Sequence, residues 1–260
     1  MSGIHKINWV LPDNHPPLEP HEVHVWKIDL SASQMQLDQL RTLLSDDELE
    51  RADRFRFDRH RRRFITGRAV MRILLGRYTN RLPEVLEFSY NPQGKPALKG
   101  ISSLEFNFTN SRDLALFCVA RQTQLGIDLE HLGRHADYEG IVNRFFAERE
   151  IEELFSLPES RRHAAFLTGW TRKEAYIKAL GTGLSLPLDR FVVTIDPEAS
   201  PQLLSAGDRQ DEPDRWVFQH LEPEPGYVAS LVVEGAAGRS SLITGKNKWH
   251  AVPTGVYIWL

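Results

Sequence analysis

The sequence predicts an α+β fold made of two halves of similar size. Strand-like and helix-like runs recur as two groups that meet near Gln122, and each group holds a long stretch of helical periodicity. The expected division is residues 1–121 and 122–260. A length of 260 residues suits this, because it is enough to bury a sizeable core.

The elements follow in order. Residues 12–20 are rich in proline and polar groups and read as a surface arm. His24–Leu30 (HVWKIDL) reads as a strand. Ser45-Asp46-Asp47-Glu48 is a capping-box pattern, which predicts a helix through Phe55. A second helix is expected from His60 to Tyr78. Phe64, Val70, Ile73, Leu74 and Tyr78 form its buried stripe, and Arg61, Arg62, Arg63, Arg68 and Arg72 its outer face. Asn91-Pro92-Gln93-Gly94 makes a turn. Strands are expected at 104–108, 114–120 and 125–130, and helices at 138–156 and 160–180. Further strands are expected at 191–195, 216–221 and 227–233, with a polar loop over 198–214. No internal repeat stands out by letter.

Composition narrows the function classes. A net charge of −3 gives no overall basic field to attract nucleic acid. Cys118, the one cysteine, cannot form an internal disulfide and fits a reducing compartment. No apolar run approaches the ~18 residues of a membrane span. The N-terminal residues lack a charged and then apolar leader pattern, so the expected setting is cytoplasmic.

Three motifs carry chemistry. In Gly126-Ile127-Asp128-Leu129-Glu130, strand alternation puts Asp128 and Glu130 on one face. That face is either solvated or a pair of hard oxygen ligands for Mg²⁺. In Trp170-Thr171-Arg172-Lys173-Glu174-Ala175-Tyr176-Ile177-Lys178, helical spacing aligns Trp170, Glu174 and Lys178. Glu174 and Lys178 then form either a surface ion pair or a metal ligand with a phosphate-neutralising ammonium. Gly181 and Gly183, just past the helix, suit a C-cap and also a close backbone approach.

Together these segments closely resemble the Sfp-type 4′-phosphopantetheinyl transferases. GIDLE at 126–130 is followed by WTRKEAYIKALGTGLSLPL at 170–188, and RFITGRAVMRILLGRY at 63–78, GKPAL at 94–98 and FNFTNS at 106–111 are also similar to the family. The likeness spans roughly residues 45–195. It implies a pseudo-dimeric α+β fold with coenzyme A in the cleft between the halves. It implies an enzyme that moves 4′-phosphopantetheine from coenzyme A to a serine of an acyl or peptidyl carrier protein and releases 3′,5′-ADP. It also implies Mg²⁺ on Asp128, Glu130 and Glu174, with Glu150, Glu174 and Lys178 in catalysis. Arg63, Arg68, Lys95, Thr109, Asn110, Lys173 and Lys178 are the expected coenzyme A contacts.

Two points stay open on the residues alone. Many members carry histidine where Asn110 stands, and asparagine can donate a hydrogen bond but cannot become cationic. Glu150 is either the general base, as the resemblance implies, or part of an acidic first helical turn, and a metal-bound water relayed by Glu130 is the competing base. The expected assembly is a monomer free of nucleic acid and membrane. A non-catalytic coenzyme A-binding regulatory protein is the alternative. A nucleic-acid module reading Arg59–Arg63, and a zinc site at His131 and His135, are weaker ones.

Overall fold

The computed structural model describes residues 17–20, 22–133 and 138–235, together with the backbone of three short strands beyond them. The arm expected at 12–20 lies mostly outside the described residues, as does His135.

The first half opens with β1 (Glu22–Asp29) and α1 (Gln34–Arg41), the latter capped by Ser33. Next comes α2 (Asp46–Asp53), with three acidic residues in its first turn. Glu48 reaches back to the Ser45 N–H at 3.1 Å, closing the predicted capping box. The 22-residue α3 (Asp58–Thr79) ends at Asn80, whose φ of 53° is left-handed. A small hairpin, β2 (Phe88–Tyr90) and β3 (Pro96–Leu98), leads into β4 (Leu104–Ser111) and β5 (Leu114–Arg121).

The second half repeats this plan. β6 (Leu125–His131) precedes α4 (Tyr138–Phe145), α5 (Glu148–Ser156) and a second 22-residue helix, α6 (Glu159–Leu180). Gly181 ends α6 in the left-handed region. A small pair, β7 (Phe191–Val193) and β8 (Leu203–Ala206), leads into β9 (Trp216–Leu221) and β10 (Tyr227–Glu234). Backbone pairing places the C-terminal strands β11 (Ser241–Ile243), β12 (His250–Ala251) and β13 (Tyr257–Trp259) with the first sheet. The expected cut at residue 122 therefore follows chain order, while the last strands return to β1.

The sheets run β12-β13-β1-β5-β4, with β11 also on β1, and β6-β10-β9. Strand alternation assigns three cores. Trp26, Ile28, Phe106 and Phe117 pack under α3 with Val70 and Leu74. Tyr176, Phe191, Phe218 and Val232 pack with α6. Val25, Leu116 and Cys118 of the first sheet meet Ile127, Leu129 and Leu231 of the second. Burial there pushes the Cys118 thiol up to about 12, so it is a core residue and not a nucleophile.

Three sequence expectations change. The helix expected over 138–156 is two helices, because the chain leaves helical geometry at Phe146 and Ala147. The polar loop at 198–214 contains β8. Arg72, expected on a solvated face, is 1% exposed. Its Nε donates to Glu48 at 2.7 Å, and its other nitrogens donate to Ser45 Oγ and the carbonyls of Pro83 and Leu86.

Candidate active site

A cleft of about 740 Å³ opens between the halves. α2 and α3 supply Arg51, Arg63, Phe64 and Arg68, and the β4–β5 hairpin supplies Asn110 and Arg112. From the other half β6 supplies Glu130 and His131. Arg51 lies over the Phe64 ring at 5.2 Å and Arg68 over Phe88 at 4.2 Å, so aromatic faces hold both guanidiniums. Arg68 also bonds Glu48 and, at 2.5 Å, the Tyr90 hydroxyl. Arg63 pairs with Asp113 at 2.7 Å. Arg51 and Arg112 have no carboxylate partner among the described residues. Glu130 is the one acidic side chain on the cleft wall among the described residues, so the cavity favours a polyanion.

The carboxylates come from β6 and α6. Ile127 and Leu129 are buried between the sheets, and Asp128 and Glu130 face the other way. A row of polar groups on β4 receives them. Asn107 Oδ1 accepts from the Ile127 N–H at 3.0 Å. Thr109 donates to Asp128 at 3.1 Å and Ser111 to Glu130 at 3.2 Å. Helix α6 lies directly on this strand because residue 126 is glycine. A Cβ there would stand 2.2 Å from the Ala175 carbonyl oxygen and 2.4 Å from the Ala179 nitrogen. The close approach brings the Lys178 ammonium to Asp128 Oδ1 at 2.5 Å.

Glu174 sits one turn before Lys178, half-buried, with no hydrogen-bond or ion-pair partner among the described residues. Burial and then the Asp128 charge push its carboxyl up, Lys178 pulls it down, and Glu130 adds to the rise. The charges of Asp128 and Glu130 thus both act against ionisation of Glu174. Among the described residues no three metal-binding side chains already enclose one point, and the ammonium of Lys178 occupies Asp128 instead. The donor set nevertheless fits a hard divalent cation: three carboxylates, one of them without a partner.

Other expected site residues lie elsewhere. Glu150 and Lys173 are each 0% exposed and pair at 2.7 Å. Glu150 also accepts the Ala147 and Val193 N–H groups at 2.8 Å, while Lys173 donates to the carbonyls of Leu188 and Phe191. Burial raises Glu150, and the ammonium opposes the rise. With every partner buried, neither residue reaches the cleft, which corrects the roles of general base and phosphate contact. Glu48 with Arg72 is the same arrangement in the first half: a helix-capping acid bonded to a buried cation of the long helix. Glu150→Gln is expected to cost ~3–5 kcal/mol by leaving Lys173 buried without its counter-charge. A fall in the urea midpoint at unchanged slope checks it.

Lys95 likewise points away from the cleft, and Thr109 is buried and engaged with Asp128. Arg63, Arg68 and Asn110 do line the cleft. Trp170 packs edge-on against Phe145 at 6.0 Å and is a core residue. The basic run 59–63 is largely self-neutralised, Arg61 pairing with Asp58 and Arg63 with Asp113.

Comparison with known proteins identifies the family. Residues 124–232 match the family described as the 4′-phosphopantetheinyl transferase superfamily, and residues 29–124 match the 4′-phosphopantetheinyl transferase N-terminal family. The 4′-phosphopantetheinyl transferase HetI of Nostoc sp. is 39% identical over 87% of this chain and 94% of its own. A 4′-phosphopantetheinyl transferase of Bacillus pumilus is 30% identical over 86% of this chain and 94% of its own. The chain belongs to the 4′-phosphopantetheinyl transferase superfamily. The transferase Sfp of Bacillus subtilis is 26% identical over 78% of the chain and 88% of its own. A holo-(acyl-carrier-protein) synthase from Bacillus anthracis aligns over 44% of this chain and 96% of its own, at 24% identity and a TM-score of 0.35.

In this phosphopantetheinyl transferase, sequence reasoning missed several cleft residues: Arg51, Arg112, His131, Phe55 and Tyr90. Only Arg112 leaves a structural mark. It holds a φ of 53° at the β4–β5 turn, a region uncommon for a bulky residue. From there it stands 3.1 Å from His131 Nε2 and donates to the Gly133 carbonyl at 3.1 Å.

Proposed function

We propose that this chain transfers the 4′-phosphopantetheine arm of coenzyme A to a serine hydroxyl of an acyl or peptidyl carrier protein. One observation carries the reading: the acids of β6 and α6 gather beside a cleft walled by Arg51, Arg63, Arg68 and Arg112. Such a cleft suits a nucleotide diphosphate with further phosphate charge.

The arginines neutralise and orient the phosphates, and the aromatic rings beneath Arg51 and Arg68 restrict the motion of those two. Asp128, Glu130 and Glu174 would hold Mg²⁺, which when bound supplies charge neutralisation on the pyrophosphate. Lys178 would then release Asp128 and turn its ammonium to phosphate oxygen. The serine oxygen forms a bond to the β-phosphorus, and the bond from that phosphorus to the bridging oxygen breaks, releasing 3′,5′-ADP. The serine proton passes to the Glu130 carboxylate, the acid on the cleft wall, which Ser111 steadies.

Both walls of the cleft come from one chain, which supports action as a monomer. None of the helices in the described residues is long and apolar enough to cross a membrane. A buried free thiol is compatible with the proposed cytoplasmic setting.

Incubating apo-carrier protein with coenzyme A and Mg²⁺ is expected to add one phosphopantetheine to its mass. EDTA should abolish the gain and excess Mg²⁺ restore it. An unmodified carrier across fatty-acid, polyketide and peptide types would refute the reading.

A further inference from the structure

From the contacts of Lys95 we infer that it is a positioning residue for the transfer site: with Asn91 it clamps the end of α6 and the start of β6 from the opposite half. The inference rests on the transferase reading and assigns one residue within it.

The β2–β3 hairpin belongs to the first half, and Tyr90, Gly94 and Pro96 on it line the cleft. Between the last two, the Lys95 side chain turns the other way. Its ammonium donates to the Ala179 carbonyl at 3.1 Å, in the last turn of α6, and to the Leu125 carbonyl at 3.2 Å, where β6 begins. Both carbonyls belong to the second half. Asn91 Nδ2 donates to the Gly181 carbonyl at 2.7 Å, and Asn91 Oδ1 fixes the hairpin by accepting from the N–H groups of Gln93 and Lys95.

The carbonyls of a helix's last turn lack intrahelical donors and carry its negative dipole end. An ammonium and an amide placed there satisfy that need twice over. The gripped elements are also the ones that carry chemistry. β6 holds Asp128 and Glu130, and the last two turns of α6 hold Glu174 and Lys178. The glycine at 181 lets the clamp close, since a Cβ there would meet Asn91 Nδ2 at 3.1 Å and Lys95 Cδ at 3.3 Å. A single hairpin therefore touches the nucleotide cleft and sets the register of α6 on β6.

The decisive contrast is with a lysine that binds phosphate directly. Lys95→Met keeps the stem and deletes the ammonium. The expected result is a kcat lower by about 10²-fold, since small misplacements of reacting groups cost that much. The KM for coenzyme A and the calorimetric affinity for 3′,5′-ADP should stay within about twofold, because no ligand contact is lost. In the ligand-free full chain, amide exchange over residues 179–182 should quicken by about tenfold as the helix end loosens. Asn91→Asp keeps the hairpin acceptor but replaces the donor to Gly181 with an anionic oxygen at the negative end of α6, and should quicken the same amides.

A parallel rise in KM and weakening of 3′,5′-ADP with kcat unchanged would overturn the inference, and so would a loss of kcat with exchange unmoved. Should the wild-type chain modify no carrier, the transferase reading falls. The exchange and nucleotide measurements would still decide the clamp.

Discussion

Glu174→Gln is expected to lower phosphopantetheine transfer on the order of 10²–10³-fold while making the metal-free chain more resistant to heat. Both effects have one cause. Glu174 is half-buried beside Asp128 and Glu130, and its carboxyl is held above its ordinary value of 4.5. Between that value and the raised one, the folded chain binds more protons than the unfolded chain. Stability therefore falls as pH rises through this window. Glutamine is neutral throughout, so it removes the loss and flattens the dependence. The same change deletes a hard anionic ligand, and a group useful in the loaded site is a burden in the empty one. Melting curves of both proteins in EDTA across the acid range, set beside kcat with Mg²⁺ present, check the two signs together. A variant that melts lower at neutral pH would contradict the account.

Gly126→Ala is expected to cost about 3 kcal/mol, near the top of the range for overpacking. The reason is the identity of the atoms in the way. The added methyl would meet backbone of α6, 2.2 Å from the Ala175 oxygen and 2.4 Å from the Ala179 nitrogen, and backbone cannot rotate aside as a side-chain tip can. Strand and helix must separate, which lifts Lys178 from Asp128 and shifts Glu174. Activity should fall along with a melting temperature roughly 10 °C lower. Gly100, by contrast, has nothing within 4 Å of such a carbon, and its φ of +75° alone makes replacement costly there. A calorimetric scan of both variants separates crowding from backbone strain.

What was legible in the sequence follows from periodicity. Period two separates Asp128 and Glu130 from Ile127 and Leu129, and four-residue spacing puts Glu174 beside Lys178. Each expectation needed one element only. Lys173 and Lys178 look equivalent as letters, but they lie on different helix faces, and only the packing of β7 shows that Lys173 is sealed beneath it. Glu150 reads as an acidic first turn or a base because its partners, Lys173 and the Val193 N–H, come from distant elements. Arg51 and Arg112 went unread, and His131 was read only as a weak zinc candidate, for the same reason, since the cleft wall exists only once the halves meet. The repeated plan has one short echo in the letters: Ile28-Asp29-Leu30 in the first half and Ile127-Asp128-Leu129 in the second. In the first half Asp29 accepts the Ser31 N–H at 2.8 Å. The two halves thus differ in chemistry while their helix frames, including the buried acid–cation pairs, are alike.

Electron paramagnetic resonance of Mn²⁺, used in place of Mg²⁺, tests most directly whether the three carboxylates and a pyrophosphate share one ion. With coenzyme A present, one bound Mn²⁺ per chain showing phosphorus hyperfine coupling is expected, and the signal should be lost in Glu174→Gln. Manganese that binds without phosphorus coupling, or binds the variant equally well, would contradict the account.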